Sequence, residues 1–377
     1  MSRIYSKTYS SFFQLIYLKM KIITVVWVVI FIQYLPAVAQ NKTENLVVVT
    51  LDGMRWQEVF GGADEALLLN KKYTRDSADT WKKFWVIDKT ARRKKLFPFL
   101  WNTIQKQGQL YGNRNEGSEV NNANPYKFSY PGYNEIFTGY PDTAVNSNDK
   151  ILNKNSNVLE FINGQKNYKG KVAAFTTWDV FPYILNKWRS GIYVNADLDT
   201  LHFDNSNLKL INDIQFLTTR PIGVRPDVLT YIAAREYMKA YLPKVLYIAF
   251  DETDDLAHAG MYDLYLQSAR AEDGMIEDLW KYIQSSPVYK DKTTMIITCD
   301  HGRGDKVKDN WQHHGETIED AGQIWIAAIG PDTKALGEVK TVTPLFQKQL
   351  AATFAKLLGF NFTAEHPVAA PINTIGQ

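Results

Sequence analysis

Cysteine is nearly missing from this chain. Cys299 is the only one in 377 residues, so no intrachain disulfide can form, and a cysteine-built zinc finger or iron–sulfur site is excluded. An excess of charge of one sign is also missing. The formal net charge of +3 arises at the start of the chain, where residues 1–39 hold Arg3, Lys7, Lys19 and Lys21 and no acid. Without them 39 bases face 40 acids, a net of −1. A nearly neutral chain has no electrostatic footprint for nucleic-acid duplexes. There is no internal repeat and no low-complexity tract. Apolar residues make up 45% and charged residues 22%, which excludes a disordered, collagen-like or coiled-coil chain. The length suits one large α/β domain with insertions, or two domains sharing a core.

The first forty residues read as an address. Lys19, Met20 and Lys21 precede the apolar run Ile22 to Ile32, and Pro36 and Ala37-Val38-Ala39 follow. A positive region, an apolar stretch and small residues two apart describe a secretory signal peptide over residues 1–39, cleaved after Ala39. The apolar stretch falls short of the roughly 20 residues that span a bilayer. The alternative is an uncleaved N-terminal anchor. Met20 also reads as a start, because Met20 to Ala39 is by itself a complete signal. No cysteine follows the apolar stretch, which excludes a lipoprotein. The expectation is export to a bacterial periplasm, with no stable membrane insertion after cleavage.

In the remainder, residues 40–377, five apolar runs read as strands: Leu46 to Leu51, Val172 to Thr176, Val245 to Phe250, Thr294 to Cys299 and Ile324 to Ile329. Runs without polar alternation mark strands buried on both faces, hence a parallel sheet covered by helices. Helical patterns over Asp227 to Tyr241, Met261 to Ser285 and Thr343 to Leu358 lie among them. This alternation predicts an α/β fold with a doubly wound, mostly parallel sheet flanked by helices. Two irregular stretches, 63–123 and 178–225, read as cap-like insertions over the active edge. The basic run Arg92-Arg93-Lys94-Lys95 reads as a solvated face or as a steering element for phosphate. Trp81, Trp85, Trp101, Trp178 and Trp188 read as core residues or as platforms for a base or sugar.

Three strands end in carboxylates. Sites in open parallel sheets lie beyond the carboxyl ends of the strands, so Asp52, Asp251/Asp254 and Asp300 should gather on one edge. Four of six histidines sit in short motifs with acids or glycine: Asp254 to His258, Asp300-His301-Gly302 and His313-His314-Gly315. Taken singly, these read as a helix-face pair, a turn and a capped loop. Taken together, on strand ends and with cysteine excluded, they are zinc-type ligands. Their number suits two ions, and two metals stabilise both the entering and the leaving oxygen of a phosphoryl transfer.

Ser129 is the candidate nucleophile. It opens a short helical stretch ending at Gly139, where a hydroxyl and free N–H groups favour an anionic phosphate. Its plain reading is an N-capping serine; a nearby metal would lower the hydroxyl pKa and make it an attacking group.

With these motifs in hand, the sequence resembles the alkaline phosphatase superfamily, and within it the nucleotide pyrophosphatase/phosphodiesterase-like branch. Ser129-Tyr130-Pro131-Gly132 through Thr138-Gly139 is similar to the branch's Thr-Phe-Pro-Asn element, and Leu51-Asp52-Gly53, Asp254 to His258, Asp300-His301-Gly302 and His314-Gly315 follow its order. The resemblance implies one zinc held by Asp254, His258 and His314. It implies a second held by Asp52, Asp300 and His301, with Ser129 as nucleophile and ligand; manganese or another divalent metal is an alternative. There are departures. Gly132 stands where the branch has asparagine. Asn146, Asn148, Asn153 and Asn155 compete for a phosphate-contacting role, and His313 competes with His314. The Asp-Ser-Ala-Ala and Cys-x-Pro-x-Arg elements are absent, so an extra magnesium site and a formylglycine sulfatase are not implied.

The expectation is an exported two-zinc phosphohydrolase acting on a small-molecule phosphate mono- or diester through a phosphoserine intermediate. The alternatives are a metal-dependent phosphomutase or phosphotransferase, and a non-catalytic binding protein on the same fold. Oligomeric state is not readable from the sequence.

Overall fold

The computed structural model describes residues 14–21, 41–341 and 343–376. Residues 14–21 form a short exposed helix. The apolar run Ile22 to Ile32 and the Ala37-Val38-Ala39 site lie outside the described residues. No helix among the described residues is long and apolar enough to cross a membrane.

Residues 41–376 are built on eleven strands. These are β1 (Asn45–Leu51), β2 (Gln109–Tyr111), β3 (Val120–Asn121), β4 (Val172–Thr176), β5 (Tyr193–Ala196) and β6 (Val245–Phe250). There follow β7 (Thr293–Thr298), β8 (Gln323–Ile324), β9 (Ile326–Ile329), β10 (Gly337–Glu338) and β11 (Leu345–Phe346). Eight of them form one sheet in the order β10-β2-β9-β7-β1-β6-β4-β5, and β11-β3-β8 form a small second sheet. From β7 to β5 every pairing is parallel. Every residue of β1, β4, β6 and β7 is buried, which requires a layer on each face. Apolar runs without alternation therefore become the central strands.

The helices that matter for the site are α1 (Trp56–Gly61), α2 (Ser129–Thr138), α3 (Asp227–Tyr241), α4 (Glu252–His258), α5 (Tyr262–Ser285) and α6 (Leu350–Leu357). Pro226 precedes α3 and Leu242, with φ of 49°, ends it ahead of Pro243. Helix α5 buries Tyr262, Tyr265, Leu266, Ala269, Ile276, Leu279 and Ile283, the three- and four-residue spacing of one helical face.

Three elements differ from the sequence expectation. Ile324 to Ile329 is not one parallel strand: it breaks at Trp325, giving β8 to the small sheet and β9 to the main sheet, antiparallel to β7. The Trp325 indole is buried and donates to Met54 O at 3.0 Å, which turns the chain between the two sheets. The helix expected over Thr343 to Leu358 begins only at Leu350, because Leu345 and Phe346 pair with β3. The stretch 63–123 supplies β2, next to the edge strand β10, and 178–225 supplies the edge strand β5. The first also sends Leu96, Phe97, Leu100, Trp101 and Ile104 into the core.

The basic run is not uniformly solvated. Arg92 is buried and its guanidinium lies 4.0 Å from the Trp85 ring centroid. Arg93 lies 3.5 Å from that of Trp101 and pairs with Glu338 at 2.9 Å. Lys94 and Lys95 are exposed.

Candidate metal centre and nucleophile

The neighbouring parallel strands β7, β1 and β6 deliver their carboxyl ends side by side. Asp52 follows β1, Asp300 lies two residues beyond β7, and Asp251 links β6 to α4. Asp254 and His258, four residues apart on α4, share one face; His258 Nε2 lies 3.2 Å from Asp254 Oδ2. The start of α4 is pinned by Asp227, whose carboxylate accepts the Asp251 and Glu252 N–H groups at 3.0 Å each. Burial, then the charge of Glu252, pushes Asp227 up to about 7.

His301 is fully buried and central. Its Nδ1 lies 2.9 Å from Gly302 O, so Nδ1 carries the hydrogen and Nε2 presents a lone pair. That Nε2 is 3.4 Å from Asp52 Oδ1, 3.3 Å from Asp300 Oδ2, 3.7 Å from Asp254 Oδ1 and 3.4 Å from Ser129 Oγ. Asp52 Oδ1 and Asp300 Oδ2 are buried with no hydrogen-bond partner among the described residues. Two unpartnered carboxylate oxygens and an imidazole lone pair converging within this distance are a donor set that a cation fits, since buried acceptors without donors are otherwise costly. His314 completes a second group with Asp254 and His301. Its Nε2 is 2.9 Å from His258 Nε2 and 3.8 Å from Asp254 Oδ1, and its ring centroid is 4.0 Å from that of His301. His258 stands at the mouth, with its side chain 42% exposed.

The electrostatics agree with the geometry. Burial, then the charges of Asp300 and Asp254, raises Asp52 well above the carboxylate range. Burial also raises Asp300, against the pull of His301. Burial acts the same way on Asp254, but Arg303 and the two histidines overcome it and hold this carboxyl well below the usual range. Burial and the neighbouring His301 push His314 down to about 2, which keeps it a neutral donor. Carboxylates crowded like this stay ionised together only with a cation among them.

The structure therefore brings all seven sequence candidates into contact: Asp52, Ser129, Asp254, His258, Asp300, His301 and His314. His313 is exposed and its carbonyl accepts from Gly304 N; His314 is the one that turns inward. Among the asparagines, Asn148 Oδ1 accepts the Tyr130 N–H at 2.9 Å, beside Ser129. Asn153 and Asn155 bind Asn134 Oδ1 at 3.0 and 3.2 Å, and Asn146 lines a cavity of about 160 Å³ with Tyr130. Gly132 is accounted for by packing: a Cβ there would lie 2.5 Å from Asp300 O. Gly53, at φ of 59°, is similarly required, because a Cβ would meet Asp254 Oδ1 and Arg303.

Two supporting residues escaped sequence reasoning. The buried Arg303 guanidinium binds Asp254 Oδ1, the Asp254 carbonyl at 3.0 Å and Gln312 O at 2.6 Å. Its signal was its place immediately after Asp300-His301-Gly302. Tyr133 donates to Asp52 Oδ2 at 2.9 Å; it lies one turn from Ser129 on the same face of α2.

Residues 63–351 match the type I phosphodiesterase / nucleotide pyrophosphatase family. The chain belongs to that family. The match includes six of the seven candidates and begins downstream of Asp52. No curated protein matches the chain. Among solved structures, the alkaline phosphatase PafA is similar at 11% identity and a TM-score of 0.61, covering 90% of this chain and 100% of that one. The lipoteichoic acid synthase LtaP from Listeria monocytogenes is 12% identical, with a TM-score of 0.56 over 88% of this chain and 76% of its own. The phosphonate monoester hydrolase of Agrobacterium radiobacter is 11% identical, with a TM-score of 0.56 over 88% and 77%. At such identities the likeness speaks for the fold, an alkaline-phosphatase-like α/β sheet. Family and fold together make this phosphodiesterase-family chain a phosphoester hydrolase.

Proposed function

We propose an exported two-zinc phosphohydrolase that cleaves small-molecule phosphate mono- or diesters through a phosphoserine on Ser129. The observation that carries this reading is the convergence on His301 Nε2 of Ser129 Oγ and two unpartnered carboxylate oxygens. Asp52, Asp300 and His301 would hold one cation and Asp254, His258 and His314 the other, supplying Lewis acidity that lowers the serine pKa and neutralises phosphoryl oxygens. Ser129 Oγ forms the bond to phosphorus as the ester oxygen departs, and the alcohol leaves with the serine's proton. Water then cleaves the phosphoserine, giving inorganic phosphate and free Ser129 in the monoester case. The Asn148 carboxamide, whose Oδ1 is held by the Tyr130 N–H at 2.9 Å, is the candidate contact for a phosphoryl oxygen through its amide N–H groups. Tyr133 fixes the Asp52 carboxylate and Arg303 that of Asp254. Parts of 63–123 and 178–225 outside the sheet would shape access to the edge.

Replacing Ser129 tests the mechanism. Ser129→Ala leaves three amino-acid donors for each metal, so elemental analysis should still find about two zinc ions per chain. Turnover should fall at least about a thousandfold, roughly 4 kcal/mol of barrier. Wild type quenched in acid during turnover should carry phosphate on the Ser129 peptide. An alanine variant with full activity and intact zinc would show that water attacks phosphorus directly.

A further inference from the structure

The turn that leads into the nucleophile helix is held in a conformation its own residue disfavours. Lys127, just ahead of Phe128 and Ser129, has φ of 53°, in the left-handed region that a residue with a Cβ rarely enters. Such a conformation persists where the surroundings impose it. Phe128 then runs extended, with φ of −144° and ψ of 175°, into Ser129 and α2. The direction in which the chain enters α2 is therefore set at Lys127.

Two side chains impose the turn, and they act in series. Asn124 Oδ1 accepts the Tyr126 N–H at 3.1 Å and the Lys127 N–H at 2.9 Å, closing the loop as an Asx turn does. The Asn124 side chain is oriented in its turn by Glu135, whose Oε2 accepts from Asn124 Nδ2 at 2.9 Å and from the Asn124 N–H at 2.8 Å. Glu135 is fully buried and belongs to α2 itself. Its Oε1 takes the N–H groups of Ala123 at 2.8 Å and of Lys348 at 3.0 Å. The helix that carries the nucleophile thus binds back the loop that leads into it.

The same loop reaches the metal centre. The Lys127 carbonyl accepts the Gly315 N–H at 3.0 Å, and Gly315 follows His314 in the chain. At the other end of the loop, Asn122 Nδ2 donates to Asp300 O at 2.8 Å. Loop 122–128 therefore joins Ser129 to two of the segments that supply metal donors. We propose that Glu135 is a positioning residue for phosphoryl transfer: through Asn124 it holds the left-handed turn at Lys127, and so fixes Ser129 relative to His314. The assignment rests on the roles given to those two residues above, and Glu135 acts through the backbone rather than on the reacting atoms.

The test uses the full mature chain with its metals and three variants: Glu135→Gln, Asn124→Ala and Asn124→Ala/Lys127→Gly. In Glu135→Gln the amide nitrogen faces at least two N–H donors whichever way the carboxamide turns, so the bonds fail without loss of volume. Asn124→Ala releases the Tyr126 and Lys127 N–H groups and leaves Glu135 its backbone donors, so it reports even if Glu135→Gln unfolds. Turnover of p-nitrophenyl phosphate and its bis-ester is measured well below the melting temperature, where a purely structural role leaves kcat alone. Each single variant should lose at least about tenfold in kcat, with KM within about threefold, because small displacements of a reacting group are costly. Zinc content should stay as in wild type. Glycine enters positive φ freely, so Lys127→Gly added to Asn124→Ala should recover at least about threefold of the loss. Amide exchange in the peptide containing Gly315 should be faster in Asn124→Ala and slower again in the double variant. That readout needs no turnover, so it tests the turn even if Ser129 proves not to carry phosphate. Wild-type kcat in Asn124→Ala, a double variant no faster than Asn124→Ala, or unchanged exchange at Gly315 overturns the proposal.

Discussion

Gly132→Ala sets two effects against each other, and the structure decides between them. Inside a helix, alanine is favoured over glycine by roughly 1 kcal/mol. On that ground alone the substitution in α2 would stabilise the protein. However, the new Cβ would lie 2.5 Å from Asp300 O and 3.0 Å from Asp300 C. Carbon and carbonyl oxygen keep roughly 3.3 Å apart, so α2 or the Asp300 backbone must give by about 0.8 Å. The Asp300 carbonyl cannot yield freely, because Asn122 Nδ2 and Gln347 Nε2 each hold it at 2.8 Å. Overpacking of this kind costs about 1–3 kcal/mol, which outweighs the helix gain. The displaced helix carries Ser129, and a shift near 1 Å in a reacting group lowers turnover roughly a hundredfold. The variant should therefore melt below wild type and lose about two decades of kcat on p-nitrophenyl phosphate or its bis-ester, with zinc retained. A Gly132→Ala protein as active as wild type and more stable would refute the packing argument and leave glycine at this position unexplained.

Other outcomes follow from single contacts. Arg303→Met removes the guanidinium from Asp254 in a fully buried place; zinc content measured after dialysis should drop, with stability lower by about 3 kcal/mol from the unpaired group. Asp273 is buried beneath the Phe99 and Leu100 N–H groups, and burial raises its carboxyl to about 7. The folded chain therefore binds this proton more tightly than the unfolded one, so the contribution is present at low pH and is lost as pH rises from about 4 to 7. Urea denaturation should show a pH slope up to about 1.4 kcal/mol per unit steeper in wild type than in Asp273→Asn; equal slopes would count against it. If residues 1–39 are an export signal, mass spectrometry of the native protein should find Gln40 at the N-terminus, and retention of those residues would favour the anchored alternative.

Much of this architecture is readable from local chemistry. Apolar runs such as Leu46 to Leu51 become central strands because only a doubly covered strand tolerates no polar face, and an acid at the end of such a run has one edge to go to. The peripheral strands β2 and β5 are only three and four residues long; too short to show a period, they merge with the irregular stretches around them. The break at Trp325 depends on one indole reaching Met54 O, a contact 271 positions away. Distance hides Arg303 in the same manner: its partner Asp254 lies 49 residues upstream. Nor could spacing distinguish the four asparagines, of which Asn148 is the one that accepts the Tyr130 N–H.

The adjacency of β7, β1 and β6 has a consequence for how the centre holds its shape. Parallel neighbours sit about 4.8 Å apart because their amide ladder sets that spacing. The separation of Asp300, Asp52 and the α4 pair is therefore ruled by the innermost backbone of the molecule. A slip of one residue in any of these strands would turn its carboxylate to the opposite face. Dismantling the centre and unzipping the sheet are then a single cooperative event, and amide hydrogens along Leu46 to Leu51 should exchange only as fast as the whole chain unfolds.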